Sequence, residues 1–194
     1  MVADVNPKLP NKEVLLDNLE VQFIPMKLVE EVIGKVHLTE TRTFGEVKKG
    51  YTSFIDKDLL FAKVTPCMEN GKIAVVDNLL NNIGFGSTEF HVIRSKETVE
   101  SQYLFNFLVQ ERFRKEAENE MTGAVGLRRV PKQFIENYNL PLPTIQEQQQ
   151  IVQEIESRLN VCDNMEETIT TSLQQAEALR QSILKKAFEG KLMI

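Results

Sequence analysis

The sequence predicts an α+β protein in which a mixed α/β globular domain, residues 1–143, is followed by a long coiled-coil helix, residues 144–194. Two observations support this fold class. The first part contains several short runs rich in β-branched and aromatic residues, which are typical of strands, beside one helical stripe. The second part has neither Gly nor Pro between Thr144 and Glu189, so nothing interrupts a helix there.

Four runs in the first part predict β-strands, and they read VQFIPM, LLFAKV, KIAVV and EFHVIR. In the last run, apolar Phe90 and Val92 alternate with polar residues such as His91, which is the pattern of a half-buried strand. Gly84 and Gly86 precede this run and predict a turn or a bulge.

The second and third runs predict a β-hairpin, because they flank the dipeptide Asn70-Gly71. A minimal hairpin needs two loop residues, whereas the loop from Thr65 to Gly71 has seven. The enlarged loop therefore suggests a role beyond reversing the chain.

Residues 98–120 predict a single helix with an apolar stripe at Val99, Tyr103, Phe107 and Leu108. A shorter helix is expected from Pro131, since proline is favoured in a first helical turn. The segment NLPLP that ends the domain cannot be helical, because its prolines lack the backbone donor.

The C-terminal helix has a predicted start and end. Thr144 and Glu147 form a T-x-x-E capping box, and Gly190 is a C-terminal stop signal. Between them runs a coiled-coil seam of roughly six heptads, with Glu166 and Arg180 at two polar seam positions. The apolar seam residues are Ile155, Leu159, Cys162, Ile169, Leu173, Ala176, Ile183 and Ala187.

The length of this helix predicts a partner. A helix of about 45 residues is about 67 Å long, whereas a globule of about 143 residues is only about 37 Å across. The seam therefore needs a second helix of similar length, and this chain offers none. A helix folded back on its own domain is the alternative, but no breaker residue supports it, so we expect a homodimer.

The composition limits the class of protein. The net charge is −5, which weighs against a freestanding DNA-binding protein, although basic residues cluster in EVKKGY and GLRRVPK. Cys67 and Cys162 lie far apart without a CxxC motif, which fits a reducing cytoplasm and argues against disulfides or zinc. The sequence shows neither a signal peptide nor a membrane span.

Three catalytic interpretations are weak. Asp58, Glu69 and Lys72 resemble a metal-dependent nuclease site only loosely, because the E-x-K spacing fails in ENGK. The stretch GAVGLRR lacks the GK[ST] ending of a phosphate-binding loop. Cys67 has only two histidines in the chain that could activate it. We therefore expect no active site and no bound metal.

Nucleic-acid readout has better support. Four loops combine glycine, which lets backbone amides approach a phosphate, with basic or hydroxyl side chains. They read TRTFGEVKKGY, TPCMENGK, GFGST and TGAVGLRR. Their candidate contacts include Arg42, Lys48, Lys49, Ser87, Thr88, Arg128 and Arg129. Ordinary solvated turns are the alternative for each loop.

The chain resembles half of a specificity subunit of a Type I restriction–modification enzyme. The stretches that carry the resemblance are FIPMKLV, TFGEVKKGY, DLLFAKVTPCMENGKIA, GFGSTEFHVIR, YLFNFL, ERFRKEA, MTGAVGLRRVPKQF, LPLPTIQEQQQIV and LRQSILKKAFEGKL. They cover nearly the whole chain. Full-length members have two target-recognition domains, each followed by a helical spacer, whereas this chain has one of each.

The resemblance implies a non-catalytic subunit that reads double-stranded DNA at a bipartite site. It makes Lys63, Thr65, Asn70 and Lys72 of the hairpin loop candidates for DNA contact. It also implies partners: modification subunits that bind S-adenosylmethionine and methylate adenine, and a restriction subunit that uses ATP and Mg²⁺. A pure assembly or decoy protein, acting through the coiled coil alone, is the alternative, and a standalone nuclease is a weaker third.

Overall fold

The computed structural model describes residues 2–124 and 126–192, and it confirms the α+β fold class. The strands of the described residues are β1 Ala3–Val5, β2 Glu20–Ile24, β3 Glu40–Thr43, β4 Thr52–Ile55, β5 Leu59–Ala62, β6 Ile73–Val75, β7 Ile83–Gly86 and β8 Phe90–Ser95. The α-helices are α1 Phe44–Val47, α2 Ser101–Leu108, α3 Glu111–Asn119, α4 Lys132–Asn137 and α5 Ile145–Phe188.

The strands form two four-stranded sheets. The first has the order β1-β8-β5-β6 and is antiparallel throughout. The second has the order β3-β2-β7-β4, and its central pair, β2 and β7, is parallel. Because β7 and β8 belong to different sheets, the turn at Ser87 and Thr88 carries the chain from one sheet to the other.

The predicted hairpin is confirmed, because β5 and β6 pair with Leu59 opposite Val75 and Phe61 opposite Ile73. The half-buried pattern predicted for β8 is wrong. Residues 90–93 are all buried, since β8 lies between β1 and β5 and is packed on both faces. His91 is therefore an interior residue.

Gly84 and Gly86 lie in the strand β7 and not in the predicted turn or bulge. A Cβ atom at Gly84 would overlap the ring of Phe54, and one at Gly86 would overlap the carbonyl oxygen of Ile24. These glycines are required by close approach within a sheet, and a sequence pattern cannot distinguish this role from a turn.

The core consists of three layers of buried side chains. One lies between the first sheet and helices α2 to α4, and it includes Phe61, Leu104 and Phe113. A second lies on the opposite face of that sheet and joins residues of both sheets, such as Leu60 and Phe54. The third, around Phe23, Phe44, Val47 and Phe85, covers the outer face of the second sheet with α1.

The single helix predicted over 98–120 is wrong, because the chain breaks between α2 and α3. Gln110 has extended backbone angles, φ −58° and ψ 140°, and the side chain of Arg114 donates to the carbonyl oxygen of Val109 that the break exposes. The break lets α2 bury Leu104 and Leu108 while α3 buries Phe113 and Ala117, which one straight stripe could not do together.

The ends of α5 are as predicted. Thr144 Oγ1 donates to Glu147 Oε2 at 2.8 Å, and the Glu147 backbone N–H donates to Thr144 Oγ1 at 3.3 Å. At the other end Gly190 has a φ of 71°, and the backbone N–H of Lys191 donates to the Lys186 carbonyl oxygen at 2.8 Å. This arrangement is a Schellman motif.

The chain divides into two compact units, Met1–Gln149 and Gln150–Ile194. The sequence placed the boundary between residues 143 and 144, so the first turn of α5 belongs to the globular unit in the structure. No helix among the described residues is long and apolar enough to cross a membrane.

Candidate nucleic-acid interface

Three of the four predicted loops meet where β5 ends and β8 begins in the first sheet. The backbone N–H of Lys63 donates to the Glu89 carbonyl oxygen at 2.9 Å, and that of Val130 donates to the Lys63 carbonyl oxygen at 2.8 Å. The N–H of Thr65 donates to the carbonyl oxygen of Arg128 at 3.1 Å. The hairpin loop is thus fixed between the β7–β8 turn and residues 128–130.

The side chains of the hairpin loop mostly hold the loop in place. Thr65 Oγ1 donates to Glu69 Oε1 at 2.8 Å, Asn70 Nδ2 donates to Glu31 at 2.9 Å, and Lys72 Nζ donates to the Val29 carbonyl oxygen at 3.0 Å. The enlarged loop is therefore a preformed platform. Three of its four candidate residues support it, and Lys63 is the exception.

Arg128 and Arg129 are both engaged with carboxylates. Arg129 donates to the two oxygens of Glu89 at 2.9 and 2.6 Å, and these bonds lower the pKa of Glu89. Arg128 Nη2 lies 3.4 Å from Glu118 and 3.8 Å from Glu69. DNA contact by this pair stays a prediction, but the structure gives both arginines a role in joining loops.

Some of the remaining sequence-predicted residues also have partners within the protein, whereas others are exposed. Lys48 Nζ pairs with Asp17 at 2.7 Å, and Ser87 Oγ accepts the Glu89 backbone N–H at 3.2 Å. Thr88 is exposed in the turn between the two sheets.

Most lysine and arginine side chains of the globular unit are paired with a carboxylate, but some are not. Within its described residues, seven Lys and Arg side chains have no carboxylate oxygen within 4.0 Å. Two of these, Lys72 and Arg114, each donate to two backbone carbonyl groups, whereas Lys12 donates to one. The five that are left are Lys8, Lys12, Arg42, Lys49 and Lys63.

Three of these five cations line one groove, and Arg42 is bonded to a residue of its lining. A groove of about 490 Å³, which we call the basic groove, is lined by Lys8, Lys12, Tyr51, Thr52, Ser53, Lys63 and Thr88. Arg42 Nη1 donates to the hydroxyl oxygen of Tyr51 at 3.2 Å, and Lys12 Nζ donates at 3.0 Å to the carbonyl oxygen of Lys48, the neighbour of Lys49. Glu13 is the acidic residue in the lining.

Lys8 and Lys12 were missed in the sequence. Their segment, NPKLPNK, contains no Asp or Glu. This local excess of positive charge is the signal that could have indicated the two lysines. The segment has no glycine and no strand pattern, so it did not stand out among the loops. The structure places it beside Lys63, which is more than fifty residues away in the sequence.

The catalytic alternatives find no support among the described residues. No group of three or more His, Cys, Asp or Glu side chains is placed to hold a metal ion there. Burial raises the pKa of the Cys67 thiol, which disfavours the nucleophilic thiolate. Lys72 is occupied by backbone carbonyls, as described above, and is not directed at Asp58 or Glu69.

The helix seam is a second candidate surface. Leu159, Ile169 and Leu173 are 56%, 59% and 66% exposed, and Ile183 is 46% exposed. Ile155 is half-buried, whereas Cys162, Ala176 and Ala187 are exposed. The predicted seam thus presents an apolar stripe over about nine turns of α5 without a covering helix in the described residues.

Comparison with known proteins identifies the family. A family model for the Type I restriction modification DNA specificity domain matches residues 2–175. The EcoAI and EcoEI specificity subunits of Type I restriction enzymes from Escherichia coli are 38% and 37% identical to this chain over 184 residues, which are 94% of it. The chain spans 31% and 30% of the length of these relatives.

Solved structures share the fold. The HsdS subunit from Thermoanaerobacter tengcongensis superimposes with a TM-score of 0.72 over 95% of this chain and 49% of its own, at 19% identity. A chain from work on complex assembly and conformational transition of the type I R-M system gives a TM-score of 0.73 over 96% of this chain and 49% of its own, at 18% identity. The resemblance found in the sequence motifs is confirmed: the chain belongs to the Type I restriction modification DNA specificity domain family, and its curated relatives are named as specificity subunits rather than as modification or restriction enzymes.

Proposed function

We propose that this chain is the non-catalytic DNA-recognition part of a Type I restriction–modification complex and that it contacts double-stranded DNA through the basic groove. The observation that carries the proposal is that Lys8, Lys12 and Lys63, none with a carboxylate partner, line one groove of an acidic protein, with Arg42 bonded to Tyr51 of the lining and Lys49 nearby in the sequence. Cations without a carboxylate partner can neutralise phosphates without first breaking an ion pair.

The partners follow from the family. The curated relatives are specificity subunits of Type I restriction enzymes, so the proposed partners are modification subunits and a restriction subunit. S-adenosylmethionine would be bound by the former, and ATP with Mg²⁺ by the latter. The cytoplasm is the proposed compartment. A decoy role without DNA reading is not favoured, since such a chain has no need to keep these cations unpaired.

A salt titration of the complex of this chain with its modification subunits tests the groove. The triple variant Lys8→Gln, Lys12→Gln, Lys63→Gln should lower the slope of log K against log salt by about 2.7, if each lysine contacts one phosphate. The matched control is Lys27→Gln, Lys57→Gln, Lys96→Gln, whose lysines pair with Glu40, Asp77 and Asp4. An equal change of slope in the two triple variants would contradict the groove.

We also propose that α5 forms an antiparallel homodimer. In a parallel pair in register, Glu166 would meet Glu166 and Arg180 would meet Arg180 within the seam, which is unfavourable. In an antiparallel pair centred on Thr171, each charged residue faces a small one instead: Glu166 faces Ala176 of the second copy, and Arg180 faces its Cys162. The larger pairs are then Leu159 with Ile183 and Ile169 with Leu173.

Two copies arranged this way would present two recognition domains. Since the symmetry of a dimer is mirrored in its target, the proposed DNA site is a bipartite palindrome with a fixed spacer. Lengthening α5 by whole heptads should then change the spacer and keep the half-sites.

A further inference from the structure

Arg42 is held in one orientation by two aromatic side chains. Its Cζ lies 3.8 Å from the centroid of the Phe23 ring and 5.6 Å from that of Tyr51. The two rings pack edge to face with their centroids 5.0 Å apart, and Phe23 is only 4% exposed. The stack is therefore built on the core, and with the hydrogen bond to Tyr51 it fixes the guanidinium before any ligand arrives.

The donors of this guanidinium are largely unused. A guanidinium has five N–H donors, and among the described residues Tyr51 accepts one of them. Glu46, whose charge interacts with Arg42 through space, is already held by the backbone N–H and the hydroxyl of Thr43 at 2.9 and 2.8 Å.

The other arginines of the globular unit differ from Arg42. Arg94, Arg112, Arg128 and Arg129 each lie within 4.0 Å of a carboxylate oxygen, and Arg114 donates to backbone carbonyls. Within the described residues of this unit, Arg42 alone keeps its planar fork without a carboxylate or carbonyl partner, and it does so on the strand β3 beside the basic groove.

We propose that Arg42 is a specificity-determining residue that donates two hydrogen bonds to O6 and N7 of a guanine in the major groove. This inference rests on the proposed function. A rigid guanidinium fork matches these two acceptors, whereas the lysines of the groove suit phosphates, which accept a point charge from many directions. The lysines thus provide affinity, and Arg42 selects one G·C pair.

The test compares Arg42→Lys with wild type in the complex with the modification subunits. Binding is measured on the target duplex, on duplexes in which each G·C pair of the target is replaced in turn, and on random duplex, over a series of salt concentrations. Arg42→Lys keeps the charge and loses the fork. We expect affinity for the target to fall about 10- to 100-fold, discrimination at one G·C pair to disappear, and the salt slope and random binding to stay unchanged.

Two further variants control the result. Arg112→Lys alters an arginine already paired with Glu116 and should keep the discrimination of wild type. Tyr51→Phe removes only the hydroxyl that orients Arg42, so it should weaken discrimination at the same G·C pair by a smaller factor, even if Arg42→Lys fails to fold.

The outcomes separate this inference from the proposed function. A wild-type complex that binds all duplexes alike contradicts the proposed function and the inference with it. A specific wild type whose discrimination survives in both Arg42→Lys and Tyr51→Phe overturns the inference alone. An equal loss on target and random duplexes makes Arg42 a phosphate contact and overturns its role as a base reader.

Discussion

His91 shows how one buried side chain joins distant segments of the chain beside the basic groove. Its Nε2 donates to the Val130 carbonyl oxygen at 2.9 Å, and its Nδ1 accepts from Asn6 Nδ2 at 3.0 Å, an arrangement that requires the neutral ring. Asn6 lies at the start of the segment that bears Lys8 and Lys12. Burial lowers the pKa of His91 more than the bond to Val130 raises it, and the positive charges of Lys63 and Lys132 lower it further.

A lowered histidine pKa makes stability depend on pH in a defined direction. The unfolded chain takes up a proton as the pH falls below about 6.5, whereas the folded chain does not until the pH reaches the lower folded pKa. We therefore expect the free energy of unfolding to fall as the pH is lowered from 7 toward 5.5, measured by urea denaturation.

The variant His91→Gln removes this titration and should flatten the slope over that interval. A His91→Gln variant with the pH dependence of wild type would show that another group carries it.

At the scale of elements, the start of α5 depends on one buried glutamine. Gln148 is fully buried: its Nε2 donates to the carbonyl oxygens of Thr98 and Pro143 at 3.0 and 2.9 Å, and its Oε1 accepts the Glu100 N–H at 2.9 Å. Glu100 in turn caps α2 by accepting the N–H of Tyr103. One side chain thus joins the beginnings of two helices.

Replacing this residue should be costly. Gln148→Ala leaves buried carbonyl and N–H groups without partners, so we expect a loss of about 2–3 kcal/mol in the free energy of unfolding. Gln149→Ala changes the exposed neighbour and should cost less than about 0.5 kcal/mol. Urea denaturation of the two variants measures the difference, and similar values would refute the role of Gln148.

Gln148 also illustrates which features of the helices and strands cannot be predicted from local sequence patterns. Local patterns were sufficient for the β5–β6 hairpin, where Asn70-Gly71 forms the signal, and for the caps of α5 at Thr144 and Gly190. Gln148 lies in the triplet QQQ, and nothing local distinguishes the buried member from its exposed neighbours. Likewise, the parallel pairing of β2 with β7 joins segments about sixty residues apart, and no periodicity reveals it.

The candidate site was predicted only in part for the same reason. Loop composition identified Arg42 and Thr88, and the family resemblance added Lys63; all three lie in or beside the basic groove. It could not show that Arg129 meets Glu89, since that pair forms only when two loops from distant parts of the sequence come together. Whether a cation is paired depends on tertiary structure, and this is the property that distinguishes the groove.

At the scale of the whole molecule, the exposed seam of α5 predicts the state of association. Ile169→Asp with Leu173→Asp should convert the proposed dimer to monomers, because charges would enter a desolvated seam. Light scattering measures the mass. A monomeric wild type, or an unchanged dimer in this variant, would contradict the pairing.

Reversing the charges at Glu166 and Arg180 tests whether the two α5 helices of the proposed dimer are antiparallel. Glu166→Arg alone would place two like charges near each other across an antiparallel seam, since Arg180 of the second copy lies one turn from the residue that Glu166 faces. Glu166→Arg with Arg180→Glu restores opposite charges and should restore the dimer. In a parallel pair the wild type and both variants oppose like charges at the two positions, so neither variant should change the dimer mass measured by light scattering.

The central claim is that this chain selects the DNA sequence on which its partners act. Mapping adenine methylation in cells that express the modification subunit with and without this chain tests it most directly. The account predicts a methylated motif that appears only with the chain and consists of two dyad-related half-sites separated by a fixed spacer. Methylation at the same motif without the chain, or no sequence preference with it, would contradict the account.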